Sequence, residues 1–173
     1  MSVSYEYNNN NLLSKIILGN KSYNFNYDDY LRNKSVYINN NKLVENTYEE
    51  NNGNLLNTTY GNDDIVSYEY DQFNRISKLI KMDNTYQYYY DHFGNLKQID
   101  FNGNHYKYYY DLAQRLIDII ENEDFKIHYD YNELNNLSSK VVTLENIDNQ
   151  YIYEYNNEGN IIKITMFTIT FKD

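Results

Sequence analysis

The chain has no cysteine, no proline and no tryptophan, and only 6 glycines in 173 residues. Without cysteine there is no disulfide, no thiolate nucleophile and no cysteine-ligated metal site. Without proline nothing punctuates the chain as a rigid linker would, so asparagine carries the turn chemistry, because it tolerates the left-handed conformation and hydrogen-bonds its own backbone. Positive charge is also scarce: 15 Lys and Arg face 25 Asp and Glu, for a formal net charge of -10. That balance argues against direct nucleic-acid binding, which needs phosphate neutralisation, and leaves room for a basic protein partner. No stretch approaches the roughly 20 apolar residues of a membrane span. Residues 1–11 show no basic region followed by an apolar run, so no signal peptide is expected and the cytoplasm is the default location.

What the chain has in quantity is tyrosine: 23 Tyr and 7 Phe bring the aromatic share to 17%. A mean hydropathy of -0.85 would suit a disordered chain, but disordered chains are poor in aromatic and β-branched residues. This one is rich in both and is expected to fold, over 1–173, as a single domain.

The tyrosines recur at a fixed interval, the mark of a repeat architecture. Anchors fall at Tyr7, Tyr27, Glu49, Tyr70, Tyr90, Tyr110, Tyr131 and Tyr155, about 20 to 24 residues apart. Seven have an aromatic two residues earlier, and the third repeat, at Glu49, has lost the pair. The next column is Asn8, Asp28, Glu50, Asp71, Asp91, Asp111, Asn132 and Asn156; three residues on, Gly and Asn dominate, as expected where φ turns positive. Aliphatic residues follow at two positions three apart.

Aromatic residues at i and i+2 share one face of a strand, and the acidic or Asn residue after them can close an Asx turn. The aliphatic spacing of three does not fit a flat strand. Either the first residue sits at the mouth of the turn or the second strand carries a bulge. Second turns are expected at Gly19-Asn20, Asn39-Asn40, Gly61-Asn62, Asp83-Asn84, Asn102-Gly103 and Glu123-Asp124, of which Asn102-Gly103 is the strongest hairpin signal. The expected fold is therefore all-β: an antiparallel meander of about eight hairpins, sixteen strands, in a curved or spiralling sheet. The turns of repeats two and three, roughly 25–60, are expected to be irregular, and residues 145–150 to form a loop. The run from Ile161 to Phe171 reads as an aggregation-prone edge strand.

The repeat-motif residues are clearest in Tyr68, Tyr70, Asp71 and Arg75, in Tyr88, Tyr90, Asp91 and Gly94, and in Tyr108, Tyr110, Asp111 and Arg115. This pattern resembles the YD repeat of the Rhs and wall-associated protein family, over nearly the whole chain from Tyr5 to Ile164. The resemblance implies a spiral of hairpins forming a hollow shell, which encloses a toxin in polymorphic and insecticidal toxins and forms part of a cell-surface receptor in teneurins. Members are often exported or displayed at the cell surface. The shell-closing motif rich in Pro and Asp is absent from these 173 residues, and no variable toxin domain is expected to follow Asp173.

No phosphate loop or nucleophile with a positioned base occurs, so the chain reads as a non-enzymatic structural or interaction protein with no cofactor. His92, His105 and His128 occupy different repeat positions and do not build a metal set. Asp28, Asp71, Asp91 and Asp111 repeat at roughly 10 Å, too far apart to share calcium, and read as turn caps. The tyrosine face reads first as architecture. Its sharper reading is a sugar-stacking platform at Tyr86, Tyr88, Tyr106 and Tyr108, making glycan an alternative ligand. Tyr89 and Tyr109 point the other way. Protein partnership or self-association is expected because a single layer leaves an apolar face wet, and an acidic immunity or chaperone partner for a basic toxin is a further reading.

Overall fold

The computed structural model describes residues 2–122 and 125–170. Among them, sixteen strands follow in chain order as an antiparallel meander, without a helix. The chain divides into two compact units. The first, residues 1–85, holds β1 (Val3–Tyr7), β2 (Leu13–Leu18), β3 (Lys21–Tyr27), β4 (Asn33–Ile38), β5 (Asn41–Tyr48), β6 (Leu55–Tyr60), β7 (Ile65–Tyr70) and β8 (Ile76–Lys81). The second, residues 86–173, holds all but the first two residues of β9 (Asn84–Tyr90), then β10 (Leu96–Phe101), β11 (Asn104–Tyr110) and β12 (Leu116–Glu121). It continues with β13 (Phe125–Tyr131), β14 (Leu137–Leu144), β15 (Ile147–Tyr155) and β16 (Ile161–Thr170).

The register resolves the aliphatic spacing. In every hairpin the anchor aromatic pairs with the first residue of the following strand, and the next pair skips a residue: Tyr7 pairs with Leu13 and Glu6 with Lys15; Tyr90 pairs with Leu96 and Tyr89 with Gln98. Both alternatives therefore hold at once. The first aliphatic residue closes the turn, and a one-residue bulge at Ser14, Lys34, Leu56, Ser77, Lys97, Ile117, Ser138 or Ile162 restores phase. Leu96 and Ile99 thus share a face with Tyr88 and Tyr90, although they are three residues apart.

The residue just before the turn-closing carbonyl has positive φ in all eight repeats: Asn11, Leu31, Gly53, Asn74, Gly94, Gln114, Asn135 and Gly159. Asn102 and Gly103 both have positive φ, the signature of a type I′ hairpin turn.

Four turn expectations change. The third repeat is anchored by Tyr48, which pairs with Leu55 as the other anchors do, and Glu49 takes the turn-acceptor position. One extra residue in that turn shifts the frame: Glu49 N–H donates to the Asn54 carbonyl, five residues on, where the other repeats close over four. The second repeat's turn at Asp28 is regular, its N–H donating to the Arg32 carbonyl. The β8–β9 turn lies at Met82-Asp83, one residue before the expected position, and Asn84 already belongs to β9. Residues 145–150 are not a loop: β14 and β15 lengthen to 8 and 9 residues and leave only Glu145-Asn146 between them. The expected turn at Glu123-Asp124 and the last residue of the run ending at Phe171 lie outside the described residues.

Among the described residues, neither unit carries a second layer over its own strands. Val66 is the one buried apolar side chain among the described residues, joined by Ser35, Thr58 and Ser139. Cohesion comes from backbone ladders and half-buried cross-strand pairs, including the stacked rings of Tyr86 and Phe101, 4.3 Å apart. β16 keeps Ile161, Ile164 and Met166 exposed along one face and Phe167 and Ile169 along the other.

Gly61 marks a close backbone approach. Its N–H donates to Leu43 O at 3.0 Å, and a Cβ there would stand 2.2 Å from the Lys42 carbonyl oxygen. Gly61→Ala is expected to lower the unfolding free energy by about 1–3 kcal/mol, the usual cost of overpacking, measured by chemical denaturation; an unchanged midpoint would contradict the packing described.

Candidate functional site: the tyrosine face and the turn row

Six anchor tyrosines do more than line the face. The ladder between β10 and β11 ends at the Gln98–Lys107 pair, so the Leu96 carbonyl, two residues beyond it, has no strand partner there. The Tyr110 hydroxyl donates to that carbonyl at 2.9 Å. The same bond joins Tyr27 to Leu13, Tyr48 to Asn33, Tyr70 to Leu55, Tyr131 to Leu116 and Tyr155 to Leu137, at 2.7–2.9 Å. Each one ties a hairpin to the hairpin before it.

Tyr86, Tyr88, Tyr106 and Tyr108 lie on this same face, all half-buried. Tyr88 and Tyr106 flank Ile99, and Tyr86 has one ring face covered by Phe101. Burial, then the neighbouring tyrosines, raise the hydroxyl pKa of Tyr70, Tyr88, Tyr108 and Tyr129; for Tyr110 burial is followed by the Asp91 carboxylate. Tyr89 and Tyr109 stand on the opposite face and are exposed.

The turn row is built from one acceptor per repeat. Asp111 Oδ1 takes the N–H groups of Ala113 and Arg115, both at 2.9 Å. Asn8, Asp28, Asp71, Asp91, Asn132 and Asn156 each bracket two N–H groups in the same way. Where the acceptor is Asp, its second oxygen is used as well: Arg32, Arg75 and Arg115 each donate from Nε to it at 2.7 Å, and Asn95 donates to Asp91 at 3.0 Å. Desolvation in the turn raises the pKa of Asp28, Asp71 and Asp91, but the N–H and Arg or Asn donors outweigh it and hold all three below the usual carboxylate range. For Asp111 the Arg115 N–H is itself the largest influence, also lowering.

Neighbouring turns are linked laterally. Arg32 reaches the Glu49 carbonyl, Asn54 the Asn74 side chain, Asn95 that of Gln114 and Arg115 that of Asn135. The Arg32 and Arg115 guanidinium carbons sit 4.4 and 4.6 Å from the ring centres of Tyr48 and Tyr131, the anchors of the following repeats.

The histidines occupy three separate settings. His92 packs on Phe93, with ring centres 3.7 Å apart. His105 Nδ1 meets Asp100 at 2.7 Å. His128 stands between Asp118, 2.8 Å from Nδ1, and Asp130, 3.2 Å from Nε2, while Lys126 also reaches Asp118 and Ser139 donates to Asp130. The hydrogen bond to Asp118 leads the influences that raise the His128 pKa. Among the described residues no His, Cys, Asp or Glu cluster has metal-binding geometry. These cross-strand polar pairs depend on register: Asp100 faces His105 and Asp118 faces His128 in strand pairs that run without a bulge, so aligning the facing strands would expose them in the sequence.

Fold and site together define a class: a tandem-hairpin, single-layer β-sheet with one tyrosine face. No protein-family model and no curated protein matches the chain. Solved structures do. The chain is similar to the crystal structure of TcdB2-TccC3 without its hypervariable C-terminal region, with a TM-score of 0.78 and 15% identity over 95% of this chain and 10% of that one. It is also similar to TcdB2-TccC3 itself, at 0.72 and 12% over 99% of this chain and 12% of that one, and to the Photorhabdus luminescens Tc holotoxin pore, at 0.55 and 16% over 96% and 9%. The chain thus spans about a tenth of the length of the Tc toxin chains whose fold it shares.

Two outcomes test the site. Tyr48→Phe is expected to cost about 1 kcal/mol, one net hydrogen bond, whereas Glu49→Ala, which leaves Tyr48 in place, costs less; equal losses in denaturant titrations would argue against Tyr48 as the anchor. The raised His128 pKa contributes stability that is complete below the unfolded histidine value of about 6.5 and is lost as pH rises through the folded value. Melting temperature is therefore expected to fall as pH rises above about 6.5, and His128→Gln is expected to flatten that dependence.

Proposed function

We propose that this chain is a non-enzymatic wall segment of the Rhs type, built from YD repeats, whose tyrosine face encloses or scaffolds a protein partner. The observation that carries this reading is a repeated sheet in which Val66 is the one buried apolar residue among the described residues. A face of half-buried tyrosines on a single layer stays wet unless something covers it. The shared fold with TcdB2-TccC3 supports the reading at the level of architecture. The net charge of -10 favours a basic partner, in keeping with a toxin-chaperoning or immunity role.

A second reading is carbohydrate binding. Tyr88, Tyr106 and Tyr108 favour it, since they are half-exposed on one face; the covered ring of Tyr86 counts against a four-tyrosine platform. Two measurements on the purified chain separate the readings. The wall reading expects strong binding of an environment-sensitive apolar dye, quenched when a basic protein partner is bound or the chain self-associates. A chain that binds no dye overturns it, and glycan-array binding lost in Tyr88→Ala and Tyr108→Ala would move the assignment to the second reading.

A further inference from the structure

The five most exposed large apolar side chains among the described residues are Leu112, Leu134, Tyr30, Phe73 and Phe93, with fractional exposures of 65–103%. All five sit at the tips of acceptor turns. Four occupy the same position, two residues after the acceptor, and Leu112 stands one residue earlier. Turn formation does not demand them, because the first and last turns fold with Asn10 and Glu158 at that position.

In the second unit three successive turns present Phe93, Leu112 and Leu134 in a row. Between the first two lies a cleft of about 350 Å³, lined by Phe93, His92, Leu112, Tyr109 and Lys97. The corresponding cleft of the first unit, about 310 Å³, is lined at equivalent positions by Tyr30, Asp29, Glu50, Thr47 and Lys34. The lateral bonds Asn95 to Gln114 and Arg115 to Asn135 hold the three turns in place before any ligand arrives.

We propose that this turn row is a docking ridge for a basic amphipathic helix, presented by the turn-tip side chains and not by the tyrosine face, although its first cleft also borders Tyr108 and Tyr110. Three features select the occupant. Four of the five N–H groups in each turn are already bonded internally, as in Asp91, Phe93, Gly94 and Asn95. The ridge therefore offers rings and methyl groups but few main-chain donors, which suits a helix whose own backbone is satisfied. Alternate strands repeat at about 9.6 Å, and seven residues of helix advance about 10.5 Å, so apolar side chains one heptad apart meet successive tips. Charge favours a basic sequence: Arg115 is held by Asp111, and the one further cation of the cleft, Lys97, is outnumbered by Asp91, Glu133 and Glu158 along the row.

The test uses the full chain and a synthetic leucine–lysine peptide of about three heptads, with leucine at the a and d positions. Titration calorimetry is expected to show saturable binding, weakened at least about tenfold in the Phe93→Ser/Leu112→Ser variant. Circular dichroism should show that the variant retains its fold, since neither side chain is buried. A scrambled peptide of the same composition that binds equally well, or a double variant with unchanged affinity, overturns the proposal. Binding to anionic vesicles in place of the peptide would do so as well, by assigning the ridge to a membrane surface. Loss of dye binding by the tyrosine face would leave this result untouched.

Discussion

The structure depends on a coupling between one hydroxyl and one bulge. A sheet that must turn a spacing of three into a single face has to insert a residue, and the insertion leaves a carbonyl beyond the end of its ladder. An unpaired backbone carbonyl in a half-buried sheet costs about as much as a lost hydrogen bond. The anchor tyrosine of the next repeat meets that need, and its ring at the same time supplies apolar cover where, among the described residues, neither unit has a second layer over its own strands. One residue type therefore answers both the polar and the apolar demand at Tyr27, Tyr48, Tyr70, Tyr110, Tyr131 and Tyr155, where phenylalanine would meet only the apolar one.

The turn row shows a second division of labour. A single Oδ1 shapes the turn whether the acceptor is Asp or Asn; the charge matters only for the second oxygen, and Arg or a donor Asn appears four residues later where Asp is present. Asn132 and Asn156, followed at that distance by Asn136 and Asn160, form the same bracket without an ion pair. The aspartates are thus part of a lateral network more than a condition of the turn itself, and the arginine stacked on the next anchor extends that network toward the tyrosine face.

Much of this was legible in the residues. The period, the shared face of i and i+2 aromatics and the positive-φ column all follow from local stereochemistry that repeats eight times. Leu31 and Gln114 adopt the left-handed conformation despite their side chains, because the surrounding hydrogen bonds leave no other closure. What was not legible depends on counting across gaps. The extra residue in the third turn moved the apparent anchor from Tyr48 to Glu49, since either choice keeps a plausible interval. The long interval before Tyr155 looked like a loop because sequence spacing alone does not distinguish longer strands from a longer connection. The Asp118–His128–Asp130 arrangement was hidden because Asp118 faces His128 only once the register between β12 and β13 is known, and the expected turn at Glu123-Asp124 would have paired Asp118 with Tyr129 instead.

Long meanders of similar hairpins carry an intrinsic folding hazard: a strand displaced by two residues keeps the same face toward its neighbour and loses little. The bulge at the start of each second strand removes that near-degeneracy. Because it lies a fixed distance from the turn, a displaced strand carries the anchor hydroxyl away from the one carbonyl that needs it, and the following arginine or asparagine away from its acceptor. Each hairpin is therefore checked against its predecessor as it docks, so a mispairing in one repeat is penalised locally before the next repeat is added.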